Sequence, residues 1–396
     1  MKKSQFAAII ACAAVLVCAC VAENHAYKRE KTGTEDVLAA EADYQSKLDM
    51  ISPAAYNNIE GLNLEPGSYI SIIGKAKDEP YWDEVERGAQ QAIDDINKNL
   101  GYEGKDKVKM TYSAPAEADN VDEQVNILDE ELARYPVALG IAIADAKAYE
   151  VQFDLAAESD IPVVAFDSGS DYQGLMATVS TDNGEAARMA AGKLAEFIGG
   201  TGEVAIFSSE SKSKSMQERE NAFKEELETH YPSISVVNVY YQDQFYEMQQ
   251  MVADEINAGT YEKIPNDEMQ EGEEISPDSI TEDDIMDYIF AKHPDIKGCF
   301  ATNGDTVKYV VKSLDRMERE GISVVGFDAD EEEIEALSEG KVDGLIVQNP
   351  FGMGYATVVA SARSALDMGN EAVIDTGYIW ITKEDLDKDS VSRMLY

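Results

Sequence analysis

Residues 296–350 read IKGCFATNGDTVKYVVKSLDRMEREGISVVGFDADEEEIEALSEGKVDGLIVQNP. The stretch contains three short apolar runs, at residues 296–300, 322–327 and 342–347, separated by two helical segments. Short apolar runs that are rich in β-branched and aromatic residues are typical of buried parallel strands. The alternation of strand and helix therefore predicts an α/β fold with a parallel sheet covered by helices on both faces.

A polar residue follows each of these three runs: Asn303, Asp328 and Gln348. In an open α/β sheet, ligands bind outside the carboxyl ends of the strands, and right-handed crossovers bring successive strand ends to one rim. The sequence therefore predicts an amide, a carboxylate and a second amide at one site, which suits a ligand with several hydroxyl groups. Taken singly, each residue is equally compatible with a turn or a helix cap.

Several blocks of this chain resemble the ribose/galactose-type sugar-binding proteins of ABC importers. The blocks are HPDIKGCFATNGDTVKYVVKSL, ISVVGFDADEEEIEAL and GKVDGLIVQNP, and upstream of them KDEPYWDEVERGAQQA, IPVVAFDSG, STDNGEAARMAAGKL and QERENAF. The resemblance runs from residue 67 to the end of the sequence, apart from an acidic insertion at residues 259–284. It implies the type I periplasmic-binding-protein fold, in which two doubly wound parallel-sheet lobes are joined by a three-crossing hinge.

The alternation of elements and the resemblance together predict the domain boundaries. We expect an N-terminal lobe from residues 67–181 and 349–376, and a C-terminal lobe from residues 182–348 and 377–396. The chain would cross between the lobes three times beneath a cleft, so that the lobes can close on a ligand.

The resemblance also implies the ligand-binding residues. They are Tyr81, Trp82, Asp167, Arg219, Asn303, Asp328 and Gln348, with Phe245, or less favourably Gln244, as the aromatic wall of the second lobe. Of Tyr81 and Trp82, we expect one to stack on the ligand and one to pack in the core. A surface ion pair is the competing interpretation of Arg219, because glutamates surround it in the sequence.

Three positions depart from the ribose-type pattern. Glu79 stands in place of an asparagine, Ser168 stands in place of an arginine, and Lys75 is an unexpected charge at the mouth of the cleft. A hexose, an amino sugar or another polyol-like metabolite therefore fits the pattern as well as ribose does.

The amino terminus has the form of a signal peptide. Residues 1–20 have a basic start and an apolar core and end in small residues. The sequence around Cys20 resembles a bacterial lipobox, which predicts that Cys20 is lipidated; Cys18, or ordinary secretion without a lipid, are the alternatives. Residues 21–66 are polar and only weakly periodic, so we predict a tether between the membrane and the first lobe.

Composition excludes several classes of function. The formal net charge of −44 disfavours binding to nucleic acid, and only three histidines are present. We predict no cofactor and no metal site. The acidic insertion has no metal-ligand geometry, and the carboxylates at residues 385–389 lack the glycine and glutamate that a calcium loop needs.

These observations predict a protein that is not an enzyme. We expect an exported, monomeric solute-binding protein, attached only by its lipid to the outer face of the cell membrane or the periplasmic side, that delivers a monosaccharide or a related small polar ligand to an ABC permease. A ligand-binding component of a membrane sensor kinase or chemoreceptor is the alternative. A hydrolase using Asp167 and Asp328 is less favoured, because the sequence shows neither the separation nor the unequal environments that such a pair needs.

Overall fold

A computed structural model describes residues 44–118, 120–262 and 274–396. The chain divides into a unit that ends at Lys47 and a second compact unit, Leu48–Tyr396, which contains both β-sheets and the helices that cover them. Cys20, the signal peptide and most of the predicted tether lie outside the described residues. In the described part of the chain, no helix is both long enough and apolar enough to cross a membrane.

Strands and helices alternate through the first part of the compact unit. In chain order the elements are β1 (Tyr69–Ile73), α1 (Pro80–Leu100), β2 (Lys109–Ser113), α2 (Val121–Leu132), β3 (Ala138–Ile141), α3 (Glu150–Glu158), β4 (Val163–Phe166) and β5 (Thr178–Ser180). Short 3-10 turns lie at Ala54–Tyr56 and Gly104–Asp106.

The same alternation continues in the second part. The elements are α4 (Asn183–Phe197), β6 (Gly202–Ser208), α5 (Lys214–His230), β7 (Ile234–Tyr241), α6 (Phe245–Asn257), α7 (Glu282–Lys292), β8 (Ile296–Ala301), α8 (Gly304–Arg316), β9 (Ser323–Phe327), α9 (Glu331–Glu339) and β10 (Gly344–Gln348). The last elements are α10 (Pro350–Ala365), β11 (Val373–Asp375), β12 (Tyr378–Ile381) and α11 (Asp389–Ser392), with 3-10 turns at Gln242–Gln244, Pro277–Ser279 and Lys383–Asp385.

The strands form two six-stranded sheets, one in each lobe. The first has the order β11-β5-β4-β3-β1-β2, and the second has the order β12-β10-β9-β8-β6-β7. Neighbouring strands are parallel except for the pair of β10 and β12. The chain passes from one sheet to the other after β5, after β10 and after β11. The predicted fold of two doubly wound lobes with three crossings is confirmed.

Helix α10 fixes the position of α1, which carries two of the predicted ligand-binding residues at its start. A Cβ atom on Gly354 would lie 1.9 Å from the backbone oxygen of Val85, and one on Gly88 would lie 1.9 Å from that of Phe351. The two helices approach so closely that only glycine fits at these contacts. This packing holds the beginning of α1 at the rim of the first sheet.

The predicted tether is too long. Leu48, Ile51, Tyr56 and Leu64 are all buried, and Ser52 forms a β-bridge with Asp375 of β11. These apolar residues are irregularly spaced and have no helical or strand period, so the sequence pattern did not reveal that this segment packs. In the described part of the chain, the compact unit therefore begins about twenty residues earlier than expected.

The acidic insertion is also shorter than predicted. Residues 263–273 lie outside the described part, but the chain after them packs against the second lobe. Ile280 is 1% exposed, and its carbonyl accepts a hydrogen bond of 2.6 Å from the side chain of Gln249. The backbone amide of Ile275 donates to the side-chain oxygen of Asn257, and the Ile275 carbonyl accepts from the Asn257 side-chain nitrogen. The expectation that the whole of residues 259–284 is a solvated insertion is therefore wrong for residues 275–284.

Thr281 provides a test of this correction. Its hydroxyl accepts a hydrogen bond from the Asp284 amide, and the Asp284 carboxylate accepts one from the Thr281 amide, which together cap α7. We expect Thr281→Ala to lower the free energy of unfolding by about 1 kcal/mol. Urea denaturation measures this change, with Ser276→Ala as the control outside the cap. A solvated insertion would give no difference between the two variants.

Candidate functional site

A cavity of about 310 Å³ lies where the carboxyl ends of the two sheets face each other. This volume is within the range of small-molecule sites, about 300–1,000 Å³. Its lining comes from both lobes: Lys75, Glu79, Pro80, Tyr81, Trp82, Ala118, Asp167, Glu210, Met216, Arg219, Asn303, Gly304, Asp305, Lys308, Asp328, Asp330, Glu333, Gln348 and Tyr396. Seven of the eight predicted ligand-binding residues are brought together here, and Phe245 is not.

Asp167 and Asp328 occupy equivalent places in the two lobes. Asp167 follows β4 and Asp328 follows β9, and both have left-handed backbone conformations with φ of 58° and 77°. All other non-glycine residues with positive φ in the described part of the chain are exposed. Strained backbone that is retained in a cleft is typical of functional positions, and here it directs one carboxylate from each lobe towards the cavity.

The carboxylate of Asp328 accepts three hydrogen bonds. The donors are the Gly304 amide at 3.0 Å, Gln348 Nε2 at 2.7 Å and the Tyr396 hydroxyl at 3.0 Å. Burial raises the pKa of Asp328, and the charge of Arg219 together with these bonds opposes that rise. The cap of the following helix α9 is Asp330, not Asp328. The capping role that the sequence left open for Asp328 therefore belongs to its neighbour.

Arg219 is a buried residue and not part of a surface ion pair. It is 1% exposed and donates to Asn183 Oδ1 at 2.8 Å, to the Thr302 carbonyl at 2.6 Å and to Gln348 Oε1 at 2.8 Å. Its guanidinium carbon lies 3.9 Å from the centre of the Phe327 ring. Since a guanidinium has five N–H donors, two are not used by these three bonds, and Arg219 lines the cavity.

Gln348 connects Arg219 to Asp328. Its side-chain oxygen accepts from Arg219 and, at 2.9 Å, from the Thr181 hydroxyl, while its amide nitrogen donates to Asp328. Gln348 therefore orients the two charged groups in addition to lining the cavity. Asn303 has a similar double role, because its side-chain oxygen caps α8 through Thr306.

Tyr81 and Trp82 lie at the first turn of α1. The Tyr81 hydroxyl donates to Asp167 Oδ1 at 2.8 Å, and burial followed by the charge of Asp167 raises the pKa of Tyr81. Tyr81 consequently stays protonated and acts as a donor. Trp82 is buried and packs edge-on against Tyr81 and Phe166, with ring centres 5.1 Å and 6.4 Å apart. In the structure Trp82 joins the cavity to the core of the first lobe.

Phe245 does not reach the cavity. Strand β7 extends to Tyr241 and a 3-10 turn follows, so Phe245 begins α6 and packs against the apolar core of the second lobe. Tyr396 supplies a different aromatic ring in the cavity, 5.7 Å from the Tyr81 ring and edge-on to it. No motif around Tyr396 marked it, since only the path of the chain after β12 brings it to the cleft.

Polar contacts join the lobes on one side of the cavity. Lys75 Nζ of the first lobe lies 2.9 Å from Glu210 Oε2 of the second lobe and 3.7 Å from Asp167 Oδ2. The hydroxyls of Ser168 and Ser213 lie 3.1 Å apart across the same boundary. The unexpected charge that the sequence shows at Lys75 therefore takes part in contact between the lobes.

Metal-ligand clusters and the remaining cysteine are two further candidates for chemistry in the part of the chain that the structure describes. The described residues hold no group of three or more His, Cys, Asp or Glu side chains that could bind a metal ion. Cys299 is fully buried within β8, and burial raises the pKa of its thiol far above the usual range.

Two lobes with parallel sheets, three crossings and a polar, partly aromatic cavity between them define a two-lobed ligand-binding protein. The chain belongs to the periplasmic-binding-protein family: the family model described as "Periplasmic binding protein domain" matches residues 70–273 and 247–367.

Individual relatives agree with this assignment. The ribose import binding protein of Escherichia coli (strain K12) is 20% identical over 305 residues, which are 77% of this chain and 87% of that protein. A carbohydrate transporter solute binding protein from Agrobacterium radiobacter, solved in complex with D-arabinose, is 26% identical with a TM-score of 0.67, covering 83% of this chain and 99% of that one.

A third relative shares the fold. The glucose-galactose binding protein from Geobacillus stearothermophilus is 24% identical with a TM-score of 0.64, covering 81% of this chain and 99% of that one. The resemblance to ribose/galactose-type binding proteins is therefore confirmed, and so is the prediction that the protein is not an enzyme.

Proposed function

We propose that this protein is the solute-binding component of an ABC importer and that it captures a sugar between its two lobes. The observation that carries the proposal is the cavity of about 310 Å³, whose lining includes an aspartate from each lobe together with Arg219, Gln348 and two tyrosines. The relatives named above include a ribose import binding protein and a carbohydrate transporter binding protein.

The polar and aromatic side chains of the cavity match the hydroxyl groups and the apolar faces of a sugar. Sugar hydroxyls both donate and accept, so carboxylates and a guanidinium around one ring can satisfy each hydroxyl in both senses. Asp167 and Asp328 would accept, Arg219 would donate, and the NH₂ group of Asn303 would donate because its oxygen caps α8. The rings of Tyr81, Trp82 and Tyr396 would cover the apolar C–H faces of the sugar.

The proposed transport step is closure followed by docking. A ligand that contacts both lobes favours the closed arrangement over the open one by its additional contacts, and the crossings after β5, β10 and β11 provide the hinge. The closed form would then present both lobes to a permease, which releases the sugar. In this proposal the protein works as an exported monomer on the outer face of the membrane.

The proposal is tested with the soluble domain, residues 44–396, in a thermal-shift screen against pentoses, hexoses and amino sugars. A sugar at a hundred times its dissociation constant should stabilise the folded state by about 2.7 kcal/mol. Isothermal titration then measures the affinity of each sugar that shifts the melting temperature. If no sugar shifts the transition or binds by titration, the proposed ligand class is wrong.

Lipid attachment at Cys20 is a separate prediction. Two acyl chains bury many methylene groups, each contributing about 0.8 kcal/mol, so a lipidated protein should stay with the membrane. We expect Cys20→Ala to move the protein into the soluble fraction or the medium, as measured by fractionation and immunoblotting. Cys18→Ala is the matched control and should remain membrane-bound. The opposite pattern would place the lipid on Cys18.

A further inference from the structure

The cavity carries more negative than positive groups. Seven of its lining residues are carboxylates and three are cations, which leaves an excess of four negative charges when all are ionised. The cavity, its aromatic rings and Arg219 define the ligand site independently of this charge excess. The excess of carboxylates indicates the charge that a ligand in this site should carry.

Two of the three cationic side chains in the cavity lining already lie beside carboxylates of the protein. Lys308 Nζ lies 3.1 Å from Asp330 and 3.3 Å from Asp305, and Lys75 lies beside Glu210 and Asp167. In the described part of the chain, neither Glu79 nor Glu333 has a cationic nitrogen within 4.0 Å. Glu333 is nevertheless 1% exposed, and a buried carboxylate without a cation is unfavourable.

The helices that begin at the cavity do not remove the excess. Helices α1, α5, α8 and α9 each place a residue of the cap or first turn in the cavity lining, namely Pro80, Met216, Gly304 and Asp330, and each N-terminus is equivalent to roughly half a positive charge. Four helix ends therefore offset only about half of the four excess charges.

Like charges also face each other between the lobes. Glu79 precedes α1 in the first lobe, and Asp305 lies in the first turn of α8 in the second. Burial and then the charge of Asp305 raise the pKa of Glu79, while burial and then the charges of Asp328 and Asp330 raise that of Glu333. The charge of Lys308 opposes both rises without cancelling them. Closing the lobes on a neutral ligand leaves this repulsion in place, whereas a cation between the carboxylates would relieve it.

We propose that the ligand carries a positive charge. Resting on the proposed function, this assigns the ligand to the protonated amino sugars, or more generally to small polyhydroxylated amines, with the ammonium group on the side of the cavity formed by Glu79, Asp305 and Glu333. The hydroxyl groups then contact Asp167, Arg219 and Asp328.

The experiment compares amino sugars with their neutral parents on the same protein. D-glucosamine and D-galactosamine are titrated calorimetrically against D-glucose and D-galactose at pH 6.5, with N-acetyl-D-glucosamine as an analogue that keeps the nitrogen but not the charge. We expect at least one amino sugar to bind about tenfold or more tightly than its parent, because charge-assisted hydrogen bonds are roughly twice as strong as neutral ones. The preference should weaken as salt is added.

Two variants locate the charge. Glu79→Gln removes a carboxylate whose side chain makes no cap hydrogen bond, and Glu333→Gln retains the oxygen that accepts from the Asp330 amide. We expect each to reduce the amino-sugar preference severalfold. Glu331→Gln, an exposed residue of α9 outside the cavity, is the matched control and should leave it unchanged.

The outcomes separate this inference from the proposed function. If neutral sugars bind as tightly as amino sugars, or if Glu331→Gln lowers the preference as much as the cavity variants do, the cationic ligand is overturned and the sugar-binding proposal stands. If no sugar of either kind binds, both the proposed function and this inference fail.

Discussion

Asp328→Asn should weaken sugar binding by about tenfold or more, because a carboxylate that accepts from ligand hydroxyls forms charge-assisted bonds that an amide cannot replace. Asparagine is the suitable replacement, since it tolerates the left-handed backbone at this position, with φ of 77°. Alanine would add backbone strain to the loss of the carboxylate, and its effect on affinity would be harder to interpret. Isothermal titration with a sugar identified by the screen measures the change.

The pH dependence gives an independent readout of Asp328. Burial raises its pKa in the folded protein, so the carboxylate becomes protonated at a higher pH than an exposed aspartate. Because the pKa of Asp328 is higher in the folded than in the unfolded protein, the ionised carboxylate lowers the free energy of unfolding. This destabilisation disappears as the pH falls through the folded-state pKa and the carboxylate becomes protonated. Binding should change in the opposite direction: affinity decreases as the pH falls through that value, and Asp328→Asn should remove this part of the dependence.

Asp295→Asn is the control for Asp328, because it makes the same change of charge at an exposed turn of the same lobe. Its affinity and pH profile should match those of the unmodified protein. If Asp328→Asn instead binds normally and only melts at a lower temperature, Asp328 has a structural role and does not contact the ligand.

Arg219→Met should both abolish measurable sugar binding and lower the free energy of unfolding by about 3–5 kcal/mol. The substitution leaves the acceptors on Asn183, Thr302 and Gln348 buried without their donor, and it removes the positive charge that opposes the raised pKa of Asp328. Methionine fills a similar volume beside the Phe327 ring but removes the cation–π contact of the guanidinium with that ring, so that the loss is mainly electrostatic and not a cavity effect. Urea denaturation and calorimetric titration measure the two changes.

Arg219→Lys separates the two roles of the residue. It keeps the charge near Asp328, but a single ammonium cannot reach three acceptors with the geometry of a planar guanidinium. We expect an intermediate loss of stability and a large loss of affinity. Arg188→Met is the matched control, because Arg188 is a partly exposed arginine of the same lobe paired with Glu185 and Glu225, where ion pairs contribute about 0–1 kcal/mol. Equal effects at Arg188 and Arg219 would contradict the assignment.

The predictions that rested on the resemblance and on strand ends placed most of the candidate site. Asp328, Asn303 and Gln348 were placed at one rim because each follows a buried strand, and the structure brings all three to the same cavity. The assignment of Phe245 failed because the length of β7 and the turn after it decide which way that ring points, and neither has a distinctive sequence pattern. The lengths of the tether and of the insertion are overestimated for a related reason. Isolated apolar residues in these segments pack against the lobes although they show no helical or strand periodicity in the sequence.

The alternation of strands and helices can be predicted from the amino-acid order alone, because the periodicity of apolar residues is a local property of the chain. The polar residues at the strand ends are equally visible in the sequence. Their partners depend on the folded arrangement of the chain: Gln348 joins Arg219 to Asp328, Lys75 contacts Glu210 across the lobes, and Tyr396 enters the cleft. These contacts join residues far apart in the chain, and their geometry depends on how the sheets and helices pack, which no local pattern encodes.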